Sequence, residues 1–339
     1  MAYHKSIDEK SDDEDEVRDE DVSLLSFIIR KRESKTDIEE DSEIFNSYTK
    51  LPPISKRRIT QKKRSIEQDL YETGRSNIVQ RIPYFTIIIT VTNIVVLIME
   101  IIYNGGVQPL KENFFLGPSA ETLITLGAKD SMLMSSPNFQ LWRLITAMFL
   151  HVGVFHLLLN LLAQIPMGYE LERSIGTLNV IIIYIASGIG GNITSAIFLP
   201  KAIECGSSTA LFGWASVYIV EYCLNYQYYQ KPSRKITLWI IGTFISLLIG
   251  LLPGIDNFAH IGGSLMGIFT SLIVVPPLFI QKKHTKLFYI IAKFLGGLFS
   301  ILFLGICIYT FYYHIDVTEN CHWCEYTSCL PVFKEWCAR

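Results

Sequence analysis

The chain has 339 residues, 50% of them apolar and 18% charged, with a positive mean hydropathy of +0.30. A net charge of −2 and a pI near 6.4 argue against a nucleic-acid binder, which would show a basic face. Of the 32 acidic residues 19 fall within the first 80, which leaves 13 for all the rest, too few to cover a soluble surface of that size. A soluble globular enzyme is excluded, and the composition describes an all-α polytopic membrane protein.

Residues 1–80 open with an acidic block at 8–21 and continue in polar sequence, which predicts a disordered tail. No signal-peptide pattern opens the chain, and the acidity is wrong for a mitochondrial transit sequence. The one apolar patch, at 22–32, ends in three basic residues and reads either as a membrane or partner contact or as a chance cluster. A basic run at 56–64 suits attraction to anionic membrane lipid.

Beyond the tail, uncharged intervals run 82–99, 144–169, 174–200, 205–220, 236–255, 257–281 and 294–315. Each is close to the roughly 20 residues that cross a bilayer as helix, and the shortest extends past Glu221 into the uncharged stretch to 230. Seven spans are predicted, as helices, because lipid offers no water to satisfy broken backbone pairs. Lys and Arg set the orientation: 24 of the 30 lie before span one or in the loops after spans two, four and six. That places the N-terminus in the cytosol and the C-terminus in the lumen or outside the cell, in the secretory pathway or plasma membrane.

Four of the seven cysteines stand in the last 19 residues, at Cys321, Cys324, Cys329 and Cys337. On the oxidising side of a membrane they read as two disulfides with three possible connectivities. The Cys321-x-x-Cys324 spacing also fits a zinc site. Cys205, Cys223 and Cys307 read as free and buried.

Polar groups inside spans are costly and mark function by default. Span two holds His151, His156 and Asn160, span four opens with Gly206-Ser207-Ser208-Thr209, and span six opens with Ala259-His260. All three spans start at the outer face, so these residues share a depth. Taken singly, a membrane serine usually bonds its own i−4 carbonyl and a histidine is usually a packed one. Together they supply a nucleophile, a base and oxyanion donors. Gly263-x-x-x-Gly267 would let span six approach span four closely enough for His260 to reach Ser208.

These residues resemble the rhomboid family of intramembrane serine proteases. The resemblance covers about 81–280 and rests on Trp142-Arg143, His151 with His156 and Asn160, Gly206-x-Ser208, and Ala259-His260 followed by Gly263 and Gly267. Glu172 and Gly176 also match a family feature. The predicted organisation is a cytosolic tail (1–80), a six-helix rhomboid-like core (81–280), a loop and seventh helix (281–315), and a Cys-rich tail (316–339). One helix after the core resembles the eukaryotic secretase type, whereas the mitochondrial type carries its extra helix first. The closing cysteine spacing looks like that of plant and fungal members.

The resemblance implies a Ser–His dyad without an Asp, cutting single-span membrane proteins near the outer part of their transmembrane helix. Ser208 would be the nucleophile and His260 the base and acid. The Ser208 amide, His156 and Asn160 would hold the oxyanion, Phe212 would pack on His260, and His151, Trp142 and Arg143 would be supporting residues. No metal or organic cofactor is implied. The sequence departs from the family's Gly-x-Ser-Gly by Thr209, whose bulk would press on the contact between spans four and six. Two other readings stand beside the protease: a rhomboid-like protein that binds membrane clients without cutting them, and a seven-helix receptor or transporter.

Overall fold

Helices and no strand are found among the described residues, which in this computed structural model are 82–226, 229, 231–251, 255–276, 283–313 and residues 321, 324 and 327. The chain divides into Met1–Glu72 and Thr73–Arg339, and all described residues belong to the second unit. The tail expected over 1–80 therefore lies outside the described residues.

The elements are α1 (Tyr84–Tyr103), the short α2 (Ala120–Leu126), α3 (Ser131–Met134) and α4 (Arg143–Thr146), then α5 (Val154–Ile175), α6 (Thr177–Phe198), α7 (Ser208–Leu224), α8 (Pro232–Ile249), α9 (Asn257–Val274) and α10 (Lys283–Tyr312). Five of the seven long ones, α1, α6, α8, α9 and α10, are long and apolar enough to cross a membrane on that measure alone. The other two fall short for visible reasons: α7 has 17 residues, and α5 carries the polar His156, Asn160 and Gln164 within its length besides Glu170, Glu172 and Arg173 near its end. The protein is a multi-pass integral membrane protein.

Helix α1 has no side-chain cap of its own. Its free Phe85 and Thr86 N–H groups donate instead to the Glu172 carboxylate at 2.9 Å each, and the Thr86 and Thr177 hydroxyls donate to the same group. A fully buried acid thus ties α1 to α5 and α6, satisfying the orphan donors of a helix start. Further along the same pair, Asn93 Nδ2 donates to Gln164 Oε1 at 3.2 Å and Gln164 Nε2 to Thr90 Oγ1 at 3.0 Å, polar bonds between helices in an apolar setting.

Small residues draw the middle helices together. A Cβ on Gly190 of α6 would meet Met266 of α9 at 2.6 Å, and one on Gly267 of α9 would stand 2.5 Å from the Gly213 Cα of α7. Helix α9 is therefore wedged between α6 and α7, with α10 laid along it through Phe269 and Phe299 (centroids 5.6 Å apart). The core beneath is built on Trp214 and Tyr184, both fully buried, with Trp214 Nε1 donating to the Val180 carbonyl at 3.2 Å. Helix α8 buries no residue, and Ile240, Phe244 and Leu248 of α8 face outward with Ile98 of α1 and Ile301 of α10, as lipid-facing positions do.

Several boundaries differ from those read in the sequence. The interval 144–169 is not one helix. Residues 147–153 run irregularly and α5 begins at Val154, because the Val154 and Phe155 N–H groups donate to the Leu116 and Phe115 carbonyls. An uncharged interval does not distinguish helix from buried loop when loop backbone finds protein partners. Of the last interval, residues 294–312 are likewise part of a longer helix, one that starts at Lys283. Of the three free cysteines, Cys205 and Cys307 are buried but Cys223 is exposed.

The long connection from α1 to α5 is held by buried cations. The Arg143 guanidinium donates to the Ile124 and Ala128 carbonyls at 2.7 Å each and stacks 4.8 Å from the Trp142 ring. Burial pushes Arg143 below its usual pKa, with the Asp130 carboxylate opposing the shift. Lys129 Nζ donates to the Leu199 and Ala202 carbonyls beyond α6. Cys321 and Cys324 form a disulfide packed with Phe258, while Cys329 and Cys337 lie outside the described residues.

Candidate active site

Gly206 bonds back through its N–H to the Ala147 carbonyl at 2.9 Å and has φ +141°, a conformation that favours glycine. Ser208 is the first residue of α7, and it is half-exposed while Glu204 to Ser207 before it and Thr209 to Leu211 after it are buried. The turn therefore presents one hydroxyl at the start of a helix.

His260 comes to Ser208 from α9. Asp256 caps that helix, accepting the Phe258 and Ala259 N–H groups at 2.9 and 3.0 Å, which places His260 in the first turn. Its Nε2 lies 3.0 Å from the Ser208 Oγ. With the ring proton on Nδ1, the serine hydroxyl donates to Nε2, the tautomer a general base requires. The Phe212 ring stacks on the imidazole, centroids 4.2 Å apart and 15° from parallel.

Close approach of the two helices makes the 3.0 Å contact possible. A Cβ on Gly263 would run into the Thr209 carbonyl, and one on Gly191 of α6 would run into the Thr209 methyl. The added bulk of Thr209 thus lies in space left free by Gly191 and Gly263, and the side chain is completely buried. It does not part α7 from α9.

On the other side of the turn stands α5. A Cβ on Gly206 would fall 2.7 Å from His156 Cε1 and 3.5 Å from Asn160 Nδ2. Both side chains, one turn apart, are aimed at the residue two before Ser208. His156 Nδ1 and Asn160 Nδ2 are buried and have no protein partner. A buried donor normally finds a partner, so the open Asn160 amide, with the His156 Nε2 edge turned to the same Gly206, leaves donors by the turn that carries Ser208, as expected where a developing oxyanion is to be received.

His151 is not in α5 but three residues before it. It is fully buried, its ring centroid is 5.5 Å from that of His156, and its backbone N–H donates to Glu100 Oε1 of α1 at 3.1 Å. Trp142 and Arg143 belong to the connection from α1 to α5, where Arg143 bonds Ile124 and Ala128, and Gly267 lies further down the α7–α9 contact.

Two acids beside the site's own residues were hidden by the pattern of uncharged intervals: Glu100 behind His151, and Asp256 at the start of α9. Asp256 alone left a local signal, an Asp before an apolar run, which marks a helix start. Glu100 sits at an interval end, where an acid reads as interfacial until its partners are known, and Glu172, matched through the family resemblance, instead ties α1 to α5 and α6.

A Rhomboid domain model matches residues 138–277, a stretch that contains Trp142, His156, Ser208 and His260. RHOMBOID-like protein 6, mitochondrial, of Arabidopsis thaliana is 35% identical over 245 residues, or 68% of this chain and 79% of that protein. RHOMBOID-like protein 2 of the same plant is 37% identical over 242 residues, covering 68% and 76%. Inactive rhomboid protein 1 of Danio rerio is also similar, 36% identical over 205 residues that make up 59% of this chain and 23% of that protein. With relatives this similar along more than two thirds of their own length, the chain belongs to the rhomboid family.

Proposed function

We propose that the protein is an intramembrane serine endopeptidase that cuts transmembrane segments of single-span membrane proteins with Ser208 and His260. The observation that carries this reading is the 3.0 Å approach of His260 Nε2 to Ser208 Oγ beneath a stacked Phe212. Ser208 Oγ attacks the scissile carbonyl and passes its proton to His260 Nε2. The Ser208 amide, His156 and Asn160 take the charge on the carbonyl oxygen. His260 then protonates the departing amine, and the C–N bond breaks. Water, giving its proton to the same ring, frees the acyl group and restores the serine.

The site opens at the end of the bundle where α5, α7 and α9 begin. The distribution of Lys and Arg supports placing that end on the luminal or extracellular side, with the N-terminal tail in the cytosol. Substrates then enter from the lipid and are cut near the outer part of their helix.

A client-binding role without cleavage is the second reading, favoured by the similarity to Inactive rhomboid protein 1. Co-expression with a single-span reporter carrying a helix-destabilising outer segment separates the two. Native protein is expected to release the reporter's outer domain, and Ser208→Ala or His260→Ala to reduce release by about 10⁴-fold or more. Reporter that co-purifies with all three forms uncut would establish the client-binding reading instead. Equal release by all three would show that a host enzyme did the cutting.

A further inference from the structure

Asp256 does more than cap α9. Only 3% of it is exposed, and its two oxygens are used differently. Oδ1 accepts the Phe258 and Ala259 N–H groups, which is an ordinary cap. Oδ2 accepts the Ser195 hydroxyl of α6 at 2.5 Å. The carboxylate is therefore pinned between two helices by three donors. An asparagine or serine would cap as well at that position, and neither would bring a charge into a dry place. The charge calls for a reason.

His260 supplies one. Its backbone N–H donates to the Asp256 carbonyl at 3.3 Å, so the ring and the carboxylate belong to residues one helical turn apart, positions that face each other on a helix. During the reaction the ring takes the Ser208 proton and becomes a cation. It does so in the first turn of a helix, where unpaired N–H groups present the positive end of the dipole. That end opposes an imidazolium. A fixed carboxylate one turn away occupies two of those N–H groups and offsets the positive charge.

We propose that Asp256 is a positioning residue for the reaction: held by Ser195, its carboxylate fixes the start of α9 and stabilises the cation that His260 becomes in the transition state. The inference rests on the Ser208–His260 reading. No proton passes to Asp256; the proton moves from Ser208 Oγ to His260 Nε2 and on to the leaving amine, and the carboxylate stays an acceptor throughout.

The test uses the full chain in bicelles with a fluorogenic single-span peptide, together with the rate at which a fluorophosphonate labels Ser208. Asp256→Asn keeps an oxygen for the two N–H groups and an amide N–H for Ser195, whose hydroxyl then accepts instead of donating, and it removes the charge. We expect kcat and the labelling rate to fall together by about tenfold, with KM changed by less than about twofold. The melting temperature should be that of the native protein.

An Asp256→Asn protein with native kcat and native labelling would reduce Asp256 to a cap, as would a loss confined to KM or to melting temperature. If that variant does not fold, Ser195→Ala decides, since it keeps cap and charge but frees Oδ2. A kcat lowered about threefold at the native melting temperature supports the inference, and an unchanged kcat overturns it. Native protein inert to both peptide and probe overturns the protease reading and this inference with it, whereas labelled native protein beside an unaffected Asp256→Asn overturns this inference alone.

Discussion

Thr209 stands next to the proposed nucleophile, and its two branches have different surroundings. The methyl fills space between Gly191 and Gly263, whereas the hydroxyl is buried without a hydrogen-bond partner. An unpaired buried hydroxyl costs about 1–3 kcal/mol, so Thr209→Val, which keeps the shape and drops the oxygen, is expected to raise the melting temperature. Thr209→Gly removes the orphan hydroxyl too, but it opens a void and puts glycine in a helix, which costs about 1 kcal/mol from the helix alone. It is expected to melt below Thr209→Val and no higher than native. Thermal unfolding in detergent ranks the three proteins. Neither substitution reaches the Ser208 amide, so reporter cleavage should stay within about threefold of native. A Thr209→Gly protein that cleaves at least tenfold faster would mean that the threonine restrains catalysis after all.

At the scale of elements, the site depends on how closely α7 and α9 lie. Gly267 is seven residues past His260, and the atom nearest its missing side chain is backbone, the Gly213 Cα at 2.5 Å. Backbone cannot rotate aside, so Gly267→Val must push the helices apart and carry His260 away from Ser208. Gly297 of α10 is a matched control, because a Cβ there meets nothing within 4 Å. Gly267→Val is expected to lose about 1–3 kcal/mol of stability and most of its cleavage, and Gly297→Val to keep both. Equal losses from the two would show that glycine in these helices matters for reasons other than contact. The Gly263/Gly267 spacing was legible in the sequence, as were the depth shared by Ser208, His260 and His156 and most of the apolar intervals. The start of α5 was not, since 147–153 is as uncharged as 154–169, and the boundary is set by bonds to other segments: His151 N–H to Glu100, and Val154 and Phe155 N–H to Leu116 and Phe115. Nor was Gly191 visible as the partner of Thr209, because that contact joins residues from different helices and leaves no periodic trace.

For the whole molecule the open quantity is direction. Helices α5, α7 and α9 begin at the end that holds Ser208 and His260, while α8 begins at the opposite end, after α7 has crossed. The proposed orientation puts Ser208 on the luminal side and the start of α8, with Lys231 before it and Arg234 and Lys235 in its first turn, in the cytosol. Ser233 in the first turn of α8 and Glu121 in the connection from α1 to α5 are both exposed, so a cysteine at either should accept a maleimide wherever the reagent is present. In sealed microsomes, whose outer surface is the cytosolic one, a membrane-impermeant maleimide is expected to modify Ser233→Cys and to leave Glu121→Cys untouched until detergent is added. The two variants act as each other's control, since leaky vesicles would label both at once. The reverse pattern would turn the molecule over and move the dyad to the cytosolic side. There the Cys321–Cys324 disulfide would face a reducing compartment and the excess of Lys and Arg would face the lumen, two inconsistencies that the proposed orientation avoids.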